Sequence, residues 1–394
     1  MARTRIGVDV GSTAVRVAEV AAGDIPVVVR AAQVPLPPGV VEAGEVRQPE
    51  AVAEALRELW SMSGVTSKQV YLGVGNQRVI VREVALPWLP EKELRDTLGF
   101  QVQEFIPMAS DEAVLDFDLV GEMDQGGRRM VRIMLVAAHK PMVNNLVEAA
   151  LAAKLDPQGI DLTPFAVIRA VGTGDEGLDL DSSGDEAIVD FGAQVTSICV
   201  HDRGVTRFVR MLPSGGRDIT LALASGLGVD EDVAERLKRG ERVATRSEDE
   251  PSVDGPDVEL RPPADLLPLE GPPADTLPVE AARSVPAVLP DPTEVRRIAL
   301  TRAGSLVDEV RSSLEFYTAQ MPNAQIGRVL VVGGGSRLDG LLELLQERLP
   351  VPVDRGRLFE RAKSEIELSA EASAEAEAVL SVAVGLAIPA RRNA

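Results

Sequence analysis

Two aspartates stand at corresponding places in the chain, each at the end of an apolar strand and two residues before a glycine. In RIGVDVGSTAVRVAEV (Arg5 to Val20), Ile6, Val8 and Val10 build a strand, Asp9 is its one carboxylate, and Gly11-Ser12-Thr13 makes a small-residue turn. An alternating strand follows at once, with Val15 and Val17 on one face and Arg16 and Ala18 on the other. The turn therefore joins strand to strand, which excludes the Walker loop and the dinucleotide fingerprint, since both open a helix. Such a hairpin tip can present backbone N–H groups and the Ser12 and Thr13 hydroxyls to phosphate oxygens. Asp9 at its base suits a hydrated Mg²⁺, and Arg16 suits phosphate charge. For one copy alone, an ordinary buried hairpin with a turn glycine is the favoured account.

A second copy begins at Ala187, AIVDFGAQVTSICVHDRGVTRFVRML. Asp190 and Gly192 stand as Asp9 and Gly11 do; Gly204 falls where Gly23 falls, and Phe208 and Val209 fall on Val27 and Val28. A repeated supersecondary unit implies a duplicated domain. Two hairpins facing each other across a cleft would place Asp9 and Asp190 on either side of one metal-bound triphosphate. A third signal is RVLVVGGGSRLDG (Arg328 to Gly340), a buried strand, three glycines, and then a helix expected from about Asp339 to Leu349. That turn admits close approach of a base, ribose or phosphate. Between these, PSGG (Pro213 to Gly216) leads into a helix past Arg217 and Asp218, and Glu235 and Lys238 share a face of the next helix. A solvated ion pair and a ligand role fit the last pair equally.

Composition narrows the alternatives. At 394 residues the chain suits two lobes. With 45% hydrophobic residues and 3% aromatic ones, its cores must be aliphatic. A formal net charge of −20 argues against a nucleic-acid footprint or an anionic-lipid surface. Cys199 is the sole cysteine, so no intrachain disulfide exists, and His139 and His201 are too scattered for a metal site or triad. The N-terminus lacks a signal peptide and no apolar run reaches the ~20 residues of a membrane span, so a cytoplasmic location is expected.

The elements that must position these residues divide the chain. Residues 1–76 and 156–186 read as a first lobe, and 187–240 with 293–394 as a second. Residues 77–155 have the order strand, helix, strand, strand, helix, an α+β unit inserted in the first lobe. Its expected use is binding, because it carries no phosphate motif. Ala370 to Leu386 reads as one final helix. Between Pro251 and Pro292 lie eleven of the 27 prolines, among many acidic residues, and 241–292 reads as a disordered insertion.

In this order the motifs resemble the actin, sugar-kinase and DnaK-type chaperone superfamily, and within it the PilM family of type IV pilus inner-membrane platforms. The likeness covers nearly the whole chain outside the proline-rich insertion. It rests on GVDVGSTAVRVAEV, on VREVALPWLPEKELRDTLGFQVQEFIPMASDEAVLDFDLVG of the inserted unit, and then on AIVDFGAQVTSICVHDRG, LPSGGRDIT, AERLKRG, SSLEFY and VVGGGSRLDGL. It implies an α/β, ribonuclease H-like duplicated fold with ATP and Mg²⁺ between the lobes. Asp9 and Asp190 would hold the metal through water. Gly11, Ser12, Thr13, Arg16, Gly192 and Gln194 would contact phosphates, with Gly215 and Gly216 nearby. Glu235 and Lys238 would reach the ribose or adenine, and Gly333, Gly334, Gly335 and Ser336 the adenosine. The implied partner is the N-terminal cytoplasmic peptide of PilN, held between the first lobe and the inserted unit, which would tether the protein to the inner membrane; other platform proteins and motor ATPases are further candidates. Where actin-like hydrolases carry a Gln or Glu to position water, this chain has Thr163, so at most slow hydrolysis is expected and no catalytic residue is assigned. A filament-forming protein like FtsA is the second reading, against which stands the ending PARRNA, without an amphipathic tail. A sugar-kinase-type phosphotransferase is the third; it lacks an identifiable general base.

Overall fold

A computed structural model of the protein describes residues 4–173, 184–241, 243, 290–321 and 324–390. All but a few residues of the expected 241–292 insertion lie outside this set. The chain opens with β1 (Thr4–Val10), β2 (Ala14–Ala21), β3 (Val27–Pro35), the small hairpin β4 (Val41–Glu42) and β5 (Glu45–Val46), α1 (Pro49–Ser63) and β6 (Gln69–Val74). It continues through β7 (Val79–Pro87), α2 (Glu91–Gln101), β8 (Ala113–Gln125), β9 (Arg128–His139), α3 (Lys140–Ala152), β10 (Asp156–Leu162) and α4 (Thr163–Val171). The second copy supplies β11 (Asp185–Phe191), β12 (Thr196–Asp202), β13 (Val205–Leu212), α5 (Gly216–Leu227) and α6 (Glu231–Lys238). Then come α7 (Pro292–Gln320), β14 (Ile326–Val332), α8 (Leu341–Arg348), β15 (Val353–Arg355), α9 (Leu358–Arg361), β16 (Lys363–Ser364), α10 (Ala370–Val379) and α11 (Ser381–Ala387).

The duplication is visible in the topology. One sheet runs β10-β6-β1-β2-β3-β16 and the other β13-β12-β11-β14-β15. Read from its first hairpin, each half has three antiparallel strands in sequence, then two parallel strands added beside the first. A parallel neighbour needs a crossover, supplied in the first half by α1 and in the second by the segment holding α5 to α7. Both sheets bury near-continuous aliphatic strands. Val8, Val15 and Val17 pack beneath α1 and α3, and Ala187, Val189, Ile198 and Val200 pack beneath α5 and α7.

The two copies differ in their second turns. Residues 22–26 separate β2 from β3, whereas only Arg203 and Gly204 separate β12 from β13. Val15 therefore pairs with Val34 while Thr196 pairs with Leu212, and the third strands are offset by three residues from the alignment expected from sequence. The match of Phe208 and Val209 with Val27 and Val28 is corrected accordingly, whereas Gly23 and Gly204 both stand second in their turns.

A three-stranded antiparallel sheet, β7-β9-β8, stands apart with its own core. Leu94 and Leu98 of α2 meet Leu86, Phe117, Ile133 and Leu135 there. The last helix expected in this unit does not join that core. Met142, Val143, Leu146 and Ala149 of α3 pack instead with Leu56 and Leu59 of α1 under the first large sheet. The C-terminal segment is a second departure. The expected single helix is broken at Leu380 into α10 and α11, and α11 packs on β1, β2 and α4, while β16 pairs with β3. The end of the described chain thus returns to the first sheet and buries Val384 and Leu386 beneath the strand that carries Asp9.

Candidate functional site: the facing hairpins

The tips of the two hairpins are built alike. Gly11 N–H donates to Ala14 O at 3.0 Å, and Gly192 N–H donates to Val195 O at 3.0 Å. These two amides close the turns, so phosphate contacts would fall to the groups between them. Among the described residues the Ser12 and Thr13 hydroxyls make no hydrogen bond, which leaves them available to a ligand.

In register, Asp9 lies opposite Arg16 and Asp190 opposite Ser197. Arg16 turns toward its neighbour: Nη1 donates to Asp9 Oδ2 at 3.2 Å and Nε to Gln33 Oε1 at 3.2 Å. Among the described residues, Asp9 is thus the one of the two carboxylates with a cation paired to it. Burial raises the Asp9 carboxyl above its ordinary range, with Arg16 pulling it back. Burial, and then the negative charge of Asp9, push Asp190 up to about 7. Two desolvated carboxylates, one of which raises the proton affinity of the other, form a set that a divalent cation satisfies. The backbone supports that fit. Gly333 has φ +85°, and a Cβ there would lie 2.2 Å from Asp190 Oδ1, so only glycine leaves the carboxylate room. Among the described residues no group of three or more His, Cys, Asp or Glu side chains could hold a metal. Phosphate oxygens and water would have to complete the shell, so the donor set suits Mg²⁺ arriving with a phosphate ligand.

The remaining expected residues surround this pair. Gln194 sits at the second tip, and its Oε1 accepts from Ala43 N–H at 2.7 Å, a bond from the β4–β5 hairpin across to the other sheet. Gly215 and Gly216 hold the helix after β13 against the second tip. Gly216 N–H donates to Gly192 O, and Gly215 N–H to Asp218 Oδ2 at 2.8 Å. Asp218 also accepts from Ser214 Oγ and so caps α5. Glu235 and Lys238 pair with each other, Nζ to Oε2 at 2.6 Å, and Lys238 also donates to Thr220 Oγ1 at 2.8 Å and to Gly216 O at 3.1 Å. Burial raises the Glu235 carboxyl, but the Lys238 ammonium outweighs it and keeps it below its usual range. The Lys238 ammonium thus ties α6 to the first turn of α5. Gly333 N–H donates to Ala378 O, and residues Gly334–Arg337 form a 3₁₀ turn before α8, which starts at Leu341 and not at Asp339. A cavity of about 290 Å³ beside this turn is lined by Ser336, Arg337, Arg355 and Glu377. Thr163 starts α4 with its hydroxyl against Gly75.

Gln33 and Ala43 were not singled out from the sequence, and Ser214 and Thr220 entered only as the residues around PSGG and the helix after it; Gln33 is brought in by sheet pairing, Ala43 by the contact between halves, and Thr220 by the packing of α5 on α6.

Residues 7–250 match the family model described as type IV pilus assembly protein PilM. Residues 187–378 match the model of the cell division protein FtsA. FtsA of Bacillus subtilis (strain 168) is 30% identical over 114 residues, 29% of this chain and 25% of that protein, so the match spans a quarter of that relative's length. Among solved structures, the PilM-PilN type IV pilus biogenesis complex matches with a TM-score of 0.73 at 25% identity, over 97% of each chain. Ethanolamine utilization protein EutJ from Carboxydothermus hydrogenoformans matches with a TM-score of 0.51 at 15% identity, over 98% of this chain and 90% of that one, a likeness of fold.

Proposed function

The chain belongs to the type IV pilus assembly protein PilM family, with an actin-like α/β fold, and from that premise we propose that it is a nucleotide-binding adaptor of a pilus assembly platform. The observation that carries this reading is the pair of facing hairpins, with Asp9 and Asp190 close enough for one charge to perturb the other. Mg·ATP would lie between them. Asp9 and Asp190 would hold the metal through water, and Ser12, Thr13 and the second tip would meet the phosphates. The cavity beside Ser336 offers room for a base or ribose. The metal would supply charge neutralisation for the phosphates, while the protein's own residues bind and orient. Hydrolysis is at most slow in this reading, because Thr163 has no carboxylate or amide with which to position water.

The partner proposed is the N-terminal peptide of PilN, seated between the first large sheet and the small one. Supporting this is the face of the small sheet turned away from α2, where Glu83, Met134 and Asp118 form one cross-strand row. Burial raises the Asp118 carboxyl, and the charges of Asp116 and of Asp161 on the edge strand β10 add to it, so the two sheets approach each other there. Among the described residues no helix is long and apolar enough to cross a membrane, so attachment to one would come through the partner.

Calorimetry of Mg·ATP with the protein and with an Asp9→Ala, Asp190→Ala double variant tests the site. Binding lost in the variant is expected, with negligible turnover in either protein; binding that persists would move the nucleotide elsewhere. The FtsA match over 187–378 favours one second reading, an ATP-dependent filament. Pelleting that needs both ATP and lipid would select it over the adaptor.

A further inference from the structure

We propose that nucleotide occupancy is transmitted to the small sheet through Gln194, the β4–β5 hairpin and Asn145 of α3, which makes this chain of contacts the element that couples the two binding sites. The proposal rests on the reading of the cleft as the nucleotide site and of the inter-sheet groove as the peptide site.

The chain of contacts is continuous. Gln194 occupies the second hairpin tip, the segment that the proposed phosphates would meet, and its side chain holds Ala43 N–H at 2.7 Å. The β4–β5 hairpin that receives this bond is stiff. Ala43 and Gly44 both have positive φ, 47° and 76°, and Glu45 is buried and paired with Arg47 at 3.2 Å and with Arg78 at 3.4 Å. Val41 and Val46, paired across it, are buried in the first core. A pull on Ala43 therefore moves the hairpin as a unit and does not dissipate in a loose loop.

Its other end is tied as well. Asn145 Nδ2 donates to Val46 O at 3.1 Å, and α3 also packs on β5. That helix follows β9 without a break and touches β8 and β9 of the small sheet. A rigid helix wedged between the hairpin and the small sheet converts a shift of one into a shift of the other. The packing of α3 in the first core, and not in the small one, is what gives it this position. A competing route exists where β13 touches β7, and it bypasses Asn145.

The test uses the full chain. Affinities for Mg·ATP and for a synthetic PilN N-terminal peptide are measured alone and together by calorimetry, in the wild type, in Asn145→Ala and in Gln194→Ala. Wild-type protein should bind one ligand at least about fivefold more tightly, or more weakly, in the presence of the other, the lower end of ordinary coupling. Asn145→Ala touches neither proposed ligand, so each separate affinity should stay within about twofold while the coupling falls to near unity. Hydrogen exchange supplies a readout without ligand: the Ala43 amide should be protected in the wild type and in Asn145→Ala, and exposed in Gln194→Ala. Coupling that survives in Asn145→Ala overturns this inference alone and points to the β13–β7 route. Separate binding of both ligands without coupling in the wild type also overturns it, while failure of either ligand to bind overturns the functional reading beneath it.

Discussion

At the scale of single residues, the cleft is governed by one unpaired carboxylate. Arg16 pairs directly with Asp9, whereas among the described residues Asp190 has no direct ion pair; burial and then Asp9 raise its pKa to about 7, with only the more distant charge of Arg16 opposing them. A carboxyl with a raised folded-state pKa contributes stability that is fully present below its ordinary value of 3.8 and is lost as pH climbs through about 7. Nucleotide-free protein should therefore melt at a lower temperature at pH 8 than at pH 5, and Asp190→Asn should flatten that difference in a melting series. The same proton competes with a metal. Below about pH 7, Mg·ATP affinity should fall by up to about tenfold per pH unit, with proton release visible when calorimetry is repeated in buffers of different ionisation enthalpy. Equal affinity at pH 6 and pH 8 would remove Asp190 from the metal site. Gly333 makes a steric claim at the same place. Gly333→Ala forces a Cβ onto Asp190 Oδ1 at a φ of +85°, and should cost about 1–3 kcal/mol in denaturant unfolding and weaken metal-dependent binding.

At the scale of elements, strands β11 and β14 are fastened at the end remote from the cleft by a buried polar network. Glu186 accepts from Thr173 N–H at 2.9 Å, from Thr173 Oγ1 at 3.0 Å and from the His201 ring at 3.0 Å, and Arg328 pairs with it. Gly204 N–H donates to His201 Nδ1, so Nε2 carries the hydrogen and donates to Glu186. Burial alone would raise the Glu186 carboxyl, but these partners outweigh it and hold it at about 2. Its contribution to stability is present above the ordinary carboxylate pKa of 4.5 and disappears as pH falls from there toward 2. Glu186→Ala leaves His201 and Thr173 without their acceptor, and should cost about 3–5 kcal/mol in urea titrations at pH 7. A loss below about 1 kcal/mol would place this network among weak surface pairs.

At the scale of the whole molecule, the small sheet has its own core, and its ties to the rest include α3, the β7–β13 contact and the packing of Val79 and Ala138 in the first core. Leu94 is fully buried in that core, so Leu94→Ala should cost about 2–5 kcal/mol. Hydrogen exchange should locate the loss in residues 79–139, with Mg·ATP binding retained; simultaneous loss of both would mean that the two units unfold as one.

How much of this the sequence carried differs between the two kinds of information in a strand. Periodicity, turn glycines and the placement of Asp9 and Asp190 are local, because a strand-turn-strand unit is written within some twenty residues; they sufficed for the duplicated fold and for proposing the two aspartates as its facing pair. The offset of the third strands was hidden because it depends on turn length, which a gapless overlay of the two copies cannot register. The destination of α3 was hidden for another reason. An amphipathic helix states that it needs an apolar neighbour without stating which one, and α3 found α1 and not the sheet that precedes it. Burial and sheet pairing likewise returned α11 and β16 to the first half. Sequence alone thus singled out the groups proposed to meet a phosphate and a metal. Only the tertiary structure decided which of them are already committed: Gln194 to Ala43, Lys238 to Glu235, and the Gly11 and Gly192 amides to their own turns, because a hydrogen bond across 151 residues has no local signature.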